Sequence, residues 1–316
     1  MEIMKLIPSG KDYLWGGTRL KSEYGKNIDI TPLAETWECS VHKDGTSIIE
    51  NGTFKGRTLA ETLRANPQFN GKNNGKNFPV LIKLIDAEKD LSVQVHPDDE
   101  YAIKNEGESG KTEMWYVLDA DENSEIVYGF ENEVSADEVR NALSDGTFSS
   151  LLHHEKVKKG DAFFIPPGTV HAIGKGIVVA EIQENSNVTY RIYDYNRTDK
   201  DGKKRKLHID KALDVMKLSP SVNSRGDTDC TDCFLYSSEM ICSCSYFEVK
   251  KIGVKRSYSF NVRGDSFQVV LCIDGNGTIS SDSGRYRLNR GDCFFIPASC
   301  GDCTLRGNLT ALKVKC

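Results

Sequence analysis

A seven-residue string that occurs twice constrains this chain more than any other feature. Gly160-Asp161-Ala162-Phe163-Phe164-Ile165-Pro166 returns as Gly291-Asp292-Cys293-Phe294-Phe295-Ile296-Pro297, with a single substitution. In each copy a Gly-Asp turn leads into a short aromatic and β-branched run that a proline stops, which is the pattern of a strand between turns. Such a repeat implies two β-units of similar construction. Further strand-like stretches lie at 78–85, 91–96, 113–118, 177–184, 188–195, 246–254, 266–273 and 309–314, short and separated by Gly, Asn and Asp. They favour antiparallel barrels or jelly rolls over a parallel α/β sheet.

The expected fold is therefore dominated by β-structure, with two jelly-roll barrel units and a few short helices. Residues 1–218 would form the first unit, the Ser-, Asp- and Asn-rich stretch 219–232 a linker, and 233–316 the second unit. Thr58-Leu59-Ala60-Glu61 and Ser135-Ala136-Asp137-Glu138 read as capping boxes opening short helices. Pro97-Asp98-Asp99-Glu100-Tyr101-Ala102 reads as a further helical turn.

Composition narrows the function classes. A chain of 316 residues with 38% hydrophobic content buries a sizeable core, and a net charge of -5 with scattered Lys and Arg offers no basic stripe for nucleic acid. No apolar stretch is long enough for a membrane span, and the start Met1-Glu2-Ile3-Met4-Lys5 has no apolar signal core, so a cytoplasmic location is expected. Nine of the ten cysteines follow residue 229, and without an export signal they are expected to be reduced thiols. Cys230-x-x-Cys233 and Cys300-x-x-Cys303 would make a zinc site only if the fold joined pairs some seventy residues apart.

The chemistry concentrates in the first unit. In Leu91-Ser92-Val93-Gln94-Val95-His96-Pro97, strand alternation puts Ser92, Gln94 and His96 on one face and Leu91, Val93 and Val95 on the other. The same arithmetic groups Lys111 with Glu113, and Thr189 with Arg191 and Tyr193. His171 follows a rigid turn after the first Phe-Phe-Ile-Pro run. Two histidines, a carboxylate and an amide oxygen suit a divalent metal; the His-His-Glu set fits catalytic zinc, and the ligand types also admit manganese, iron, cobalt or nickel. The repeat supplies an internal control, because the place equivalent to His171 in the second unit is Asp302. The second unit is thus expected to be metal-free. His42, His153, His154 and His208 lack such a setting and read as structural or solvated.

With these residues in view the chain resembles the type I phosphomannose isomerases, a cupin-type family, in their short form without the large inserted helical domain. The resemblance rests on Trp15-Gly16-Gly17, Ala34-Glu35-Thr36-Trp37-Glu38, Leu91 to Asp99, Gly110-Lys111-Thr112-Glu113-Met114-Trp115-Tyr116, Pro167-Gly168-Thr169-Val170-His171-Ala172 and Asn187-Val188-Thr189-Tyr190-Arg191. It implies one zinc ion bound through Gln94, His96, Glu113 and His171, and interconversion of mannose 6-phosphate and fructose 6-phosphate. It further implies a catalytic Arg191, with Ser92, Lys83 and Lys111 near the sugar phosphate. Long-form members carry Asn-His-Lys-Pro-Glu where this chain has Ser109-Gly110-Lys111-Thr112-Glu113, so a role for that family histidine does not transfer.

An aldose–ketose isomerase moves a proton between neighbouring carbons through an enediol. A cation and Arg191 would stabilise the negative charge, and Lys83, Lys111 and Ser92 would engage the phosphate. A water activated by the cation, Lys111 and Asp194 are the candidates for the base. Two other readings compete: a different metal cupin enzyme, and a non-catalytic sugar-binding or regulatory cupin.

Overall fold

The computed structural model describes residues 1–73, 77–198, 201–222 and 229–316. Strands dominate, and the few helices are short. Both capping boxes form: Thr58 caps Leu59–Ala65 and Ser135 caps Ala136–Asp145, each hydroxyl accepting from the backbone N–H of the glutamate three residues on. The turn after Pro97 is a helix, Asp99–Glu106, capped by Asp98 and ended by Gly107 at φ 69°.

The strands form three antiparallel sheets. One has six strands, ordered Ala162–Ile165, Glu113–Ala120, Ile177–Glu184, Val80–Ala87, Glu35–Cys39 and Ser9–Lys11. A second has five, ordered Tyr190–Tyr193, Val93–Val95, His171–Ile173, Glu125–Phe130 and Leu152–Lys156. The third has ten and contains every strand after residue 229 together with Met4–Ile7 and Ile48–Ile49. None of these orders returns to its first strand, so the closed barrels expected from the sequence are not drawn by the hydrogen bonds. Instead the six- and five-stranded sheets face each other, and the ten-stranded sheet curls around its own core of Ile252, Val270, Phe294, Leu305 and Ala311. Register shifts, such as the one between Cys272 and Asp274, give the long strands the bends such curling needs.

Burial on both faces explains why the strands of the six-stranded sheet read as continuous apolar runs rather than alternating ones. Val178, Ala180 and Ile182 point with Val80, Ile82, Leu84 and Met114 into a core shared with Phe247, Phe267, Phe295 and Leu312 from beyond residue 233. Ile177, Val179, Ile85 and Val117 point the other way, towards Ile126, Tyr128 and Ile173 of the five-stranded sheet. Lys83, Glu113 and Glu181 share that inner direction, at the end of the face where the apolar residues stop.

The repeated strings become the strands Ala162–Ile165 and Cys293–Ile296, entered through Gly160 at φ 93° and Gly291 at φ 92°. That backbone conformation favours glycine. At Gly291 a Cβ would also lie 2.1 Å from the carbonyl oxygen of Tyr24. The expected linker forms the strand Cys230–Asp232 at its end, while 223–228 lies outside the described residues. No helix among the described residues is long and apolar enough to cross a membrane.

Candidate metal centre

Three neighbouring strands of the five-stranded sheet carry one side chain each to the same place. In the register Arg191 lies opposite Gln94, and Gln94 opposite His171. The facing sheet answers with Lys83 opposite Glu181, and with Glu113 opposite Gln183. The site is therefore two cross-strand rows brought face to face.

His96, Glu113 and His171 are fully buried, and their ligand atoms lie within 4.8 Å of one another, the one such group among the described residues. His96 Nε2 stands 3.4 Å from one Glu113 oxygen and His171 Nε2 3.5 Å from the other. Each imidazole has its Nδ1 2.8 Å from a backbone carbonyl, Val188 for His96 and Thr169 for His171. Those carbonyls can only accept, so Nδ1 carries the proton and each Nε2 lone pair faces the carboxylate. Burial, with Lys111 next in strength for His96, lowers the pKa of both rings, that of His96 strongly, and so favours the neutral form that binds metal.

Both Glu113 oxygens are buried and accept no well-formed hydrogen bond; the Lys111 ammonium lies 2.6 Å from Oε1 as an ion pair. Burial alone would raise the Glu113 pKa, but Lys111 first, joined by His171 and Lys83, outweighs it, so the carboxylate titrates below its ordinary range. A buried carboxylate with unfilled lone pairs, facing two imidazole lone pairs, fits a cation. Tetrahedral bonds of ~2.0–2.1 Å separate ligand atoms by about 3.3 Å, near the spacings seen here. The Gln94 amide nitrogen is 3.4 Å from His171 Nε2, and a half-turn of the amide presents its oxygen there instead.

Above this group opens a cleft with a cavity volume of about 260 Å³, and Ser92, Gln94, Lys83, Lys111, Thr189 and Arg191 line it. The residues singled out from sequence thus converge, apart from Tyr193 and Asp194. The register shifts between Arg191 and Tyr193, and Tyr193 packs against Phe148 with ring centres 6.0 Å apart. Arg191 is held by Nε donating to Ser92 Oγ at 3.2 Å and Nη1 donating to the Lys206 carbonyl at 3.0 Å. Burial and then Arg205 lower its pKa, so two cations sit close together at one opening.

Lys83 is not a free cation. Its ammonium is 2.9 Å from Glu181 and 3.9 Å from Glu35, and despite burial the carboxylates raise its pKa. Trp115 and Trp37 donate their indole N–H to these same carboxylates, at 2.9 and 2.8 Å. Asp194, a candidate base, does not line the cleft: Arg197 and Arg205 each approach its carboxylate to 2.5 Å. Burial raises its pKa, but the two arginines hold it below the ordinary range.

Sequence reasoning missed Glu35, Glu181, Arg205 and His208 as cleft residues. A signal existed for Glu181, a lone charge in the apolar run Ile177-Val178-Val179-Ala180-Glu181, which cannot be buried without a partner. Arg205 sits in Lys203-Lys204-Arg205-Lys206, which reads as a solvated run. The two cysteine pairs stay apart in character, Cys230 and Cys233 exposed, Cys300 and Cys303 buried.

Comparison with known proteins places these features. Residues 3–133 match the family model "Phosphomannose isomerase type I, catalytic domain", and residues 237–315 match "Mannose-6-phosphate isomerase, cupin domain". Mannose-6-phosphate isomerase ManA of Bacillus subtilis is 39% identical over 301 residues, covering 95% of this chain and 94% of that protein. The mannose-6-phosphate isomerase of Streptococcus mutans is 38% identical over 288 residues, 90% of this chain and 89% of its own. The crystal structure of the mannose 6-phosphate isomerase from Bacillus subtilis superposes with a TM-score of 0.92 at 36% identity, covering 99% of both chains.

Proposed function

This chain belongs to the type I mannose-6-phosphate isomerases, and from that premise we propose that its cleft interconverts mannose 6-phosphate and fructose 6-phosphate around one zinc ion held by Gln94, His96, Glu113 and His171. One observation carries the metal assignment: the buried Glu113 carboxylate, met at Oε1 by the Lys111 ammonium, faces the Nε2 lone pairs of both His96 and His171. Among divalent metals, zinc suits a set of two imidazoles and one carboxylate. We place the reaction in the cytoplasm, and we read 1–218 and 233–316 as two cupin-type units joined at 219–232, the first of them catalytic.

When bound, the cation supplies Lewis-acid polarisation of the substrate's carbonyl and hydroxyl oxygens. The chain supplies the rest. Lys111, beside Glu113 and 3.2 Å from His96 Nε2, directs its ammonium at the floor of the cleft, where it donates to the oxygens of the enediolate. Arg191, locked by Ser92 and Lys206, adds a forked positive charge that needs no reorganisation during the reaction. Together with Arg205 it makes an opening suited to a phosphate dianion, whose binding keeps the reacting carbons in register. Lys83, already balanced by Glu181 and Glu35, serves as a fixed donor to sugar hydroxyls.

The test is metal analysis of purified enzyme, coupled to turnover of mannose 6-phosphate before and after chelation. One equivalent of zinc is expected, with activity lost on chelation and regained on zinc addition. Full turnover in a demonstrably metal-free sample would sink the proposal.

A further inference from the structure

The turn that carries Lys111 is held from three directions. Its Gly110 N–H donates to Asp99 Oδ1 at 2.8 Å, the Lys111 N–H to the Pro97 carbonyl at 3.1 Å, and the Thr112 N–H to Glu184 Oε1 at 2.8 Å. Gly110 lies so close to the helix start that a Cβ would fall 2.5 Å from Asp98 C and Asp99 N. Asp99, through its carboxylate and the close contact with Gly110, is thus one of the three holds that set the depth of Lys111 in the cleft.

Asp99 has a second oxygen, and its partner comes from the other end of the chain. Tyr246 donates its hydroxyl to Asp99 Oδ2 at 2.9 Å. Tyr246 lies between the strands Tyr236–Ser243 and Glu248–Val254 of the second unit, its ring packed against the shared core. The turn around it is closed by the Cys244 N–H donating to the Phe247 carbonyl at 3.0 Å. Burial and the bond to Asp99 raise the pKa of the Tyr246 hydroxyl, which keeps its proton and donates.

We infer that Tyr246 is a positioning residue for Lys111: the second unit fixes Asp99, Asp99 fixes the 107–112 turn, and the turn fixes the ammonium beside Glu113. This rests on the reading of Lys111 as an active-site group. It gives the metal-free unit a part in catalysis that does not require it to touch the substrate.

The experiment is a double-mutant cycle on zinc-loaded full-length enzyme, with Tyr246→Phe and Lys111→Met, measuring kcat, KM for mannose 6-phosphate and zinc content. Tyr246→Phe is expected to lower kcat about three- to tenfold, the scale of one lost positioning hydrogen bond, with KM and zinc content unchanged. In the Lys111→Met background the same substitution should have no further effect. Wild-type kcat in Tyr246→Phe, or an equal loss in both backgrounds, overturns the inference. Asp99→Ala should reproduce the loss and its dependence on Lys111. If Lys111→Met alone turns over normally, the reading of Lys111 fails and the inference falls with it, a result distinguishable because the fault lies in that single variant.

Discussion

The two turns that leave the repeated strands begin alike and end differently. After Ala162–Ile165 the chain reaches His171, fully buried, its ring fixed by the Thr169 carbonyl. After Cys293–Ile296 it reaches Asp302, exposed, accepting from Asn261 Nδ2 at 2.6 Å. The entering glycines share one φ within a degree. The interiors part company: the stretch 1–218 buries Lys83, His96, Glu113, His171 and Glu181, whereas Ser266 and Gln268 are the only buried polar residues among those described after 233. The difference teaches that strand and turn are scaffold, retained for backbone reasons, while a polar interior survives only where each charge has a partner.

The largest test of that contrast is in the first unit. Glu113→Ala should abolish zinc retention and lower turnover by roughly a thousandfold or more, since the cation supplies several kcal/mol. Arg191→Ala should lose about a hundredfold while zinc content stays at one equivalent. Measuring metal and kcat together separates the two roles, and normal turnover in Arg191→Ala would remove it from catalysis.

A smaller effect concerns Glu184, which burial pushes up to about 7 from 4.5 while it accepts from Thr112. A folded-state pKa above the unfolded one stabilises fully below about pH 4.5, and the gain is lost as pH rises through about 7. With each pK unit worth about 1.4 kcal/mol, the Tm of the wild type should fall by a few degrees from pH 5 to 7.5 relative to Glu184→Gln. Parallel melting curves across that range would exclude this. The smallest expected effect is none: Asp302→His should leave zinc at one equivalent, because no carboxylate stands where Glu113 does. A second tightly bound ion would break the contrast between the units.

Much of the site was legible because alternation is a strict rule. Ser92 and Gln94 line the cleft and Lys111 meets Glu113, as period-two counting requires. Tyr193 escaped because a register shift breaks the count. Barrel closure was not legible, since a list of short strands says nothing about which edges meet. The strands Met4–Ile7 and Glu125–Phe130 also passed unnoticed, the first because four residues carry little periodicity.

The placement of Met4–Ile7 has a consequence for biosynthesis. One edge of this strand pairs with Ile48–Ile49, available almost at once, and the other with Cys293–Ile296. At ~5–20 residues per second, a ribosome delivers that second partner only some tens of seconds after the first. A nascent chain must keep the open edge from recruiting a strand of a neighbouring polypeptide throughout that interval. A strand made well before its second partner is among the last to be satisfied, and the waiting time is written into the order of the sheet.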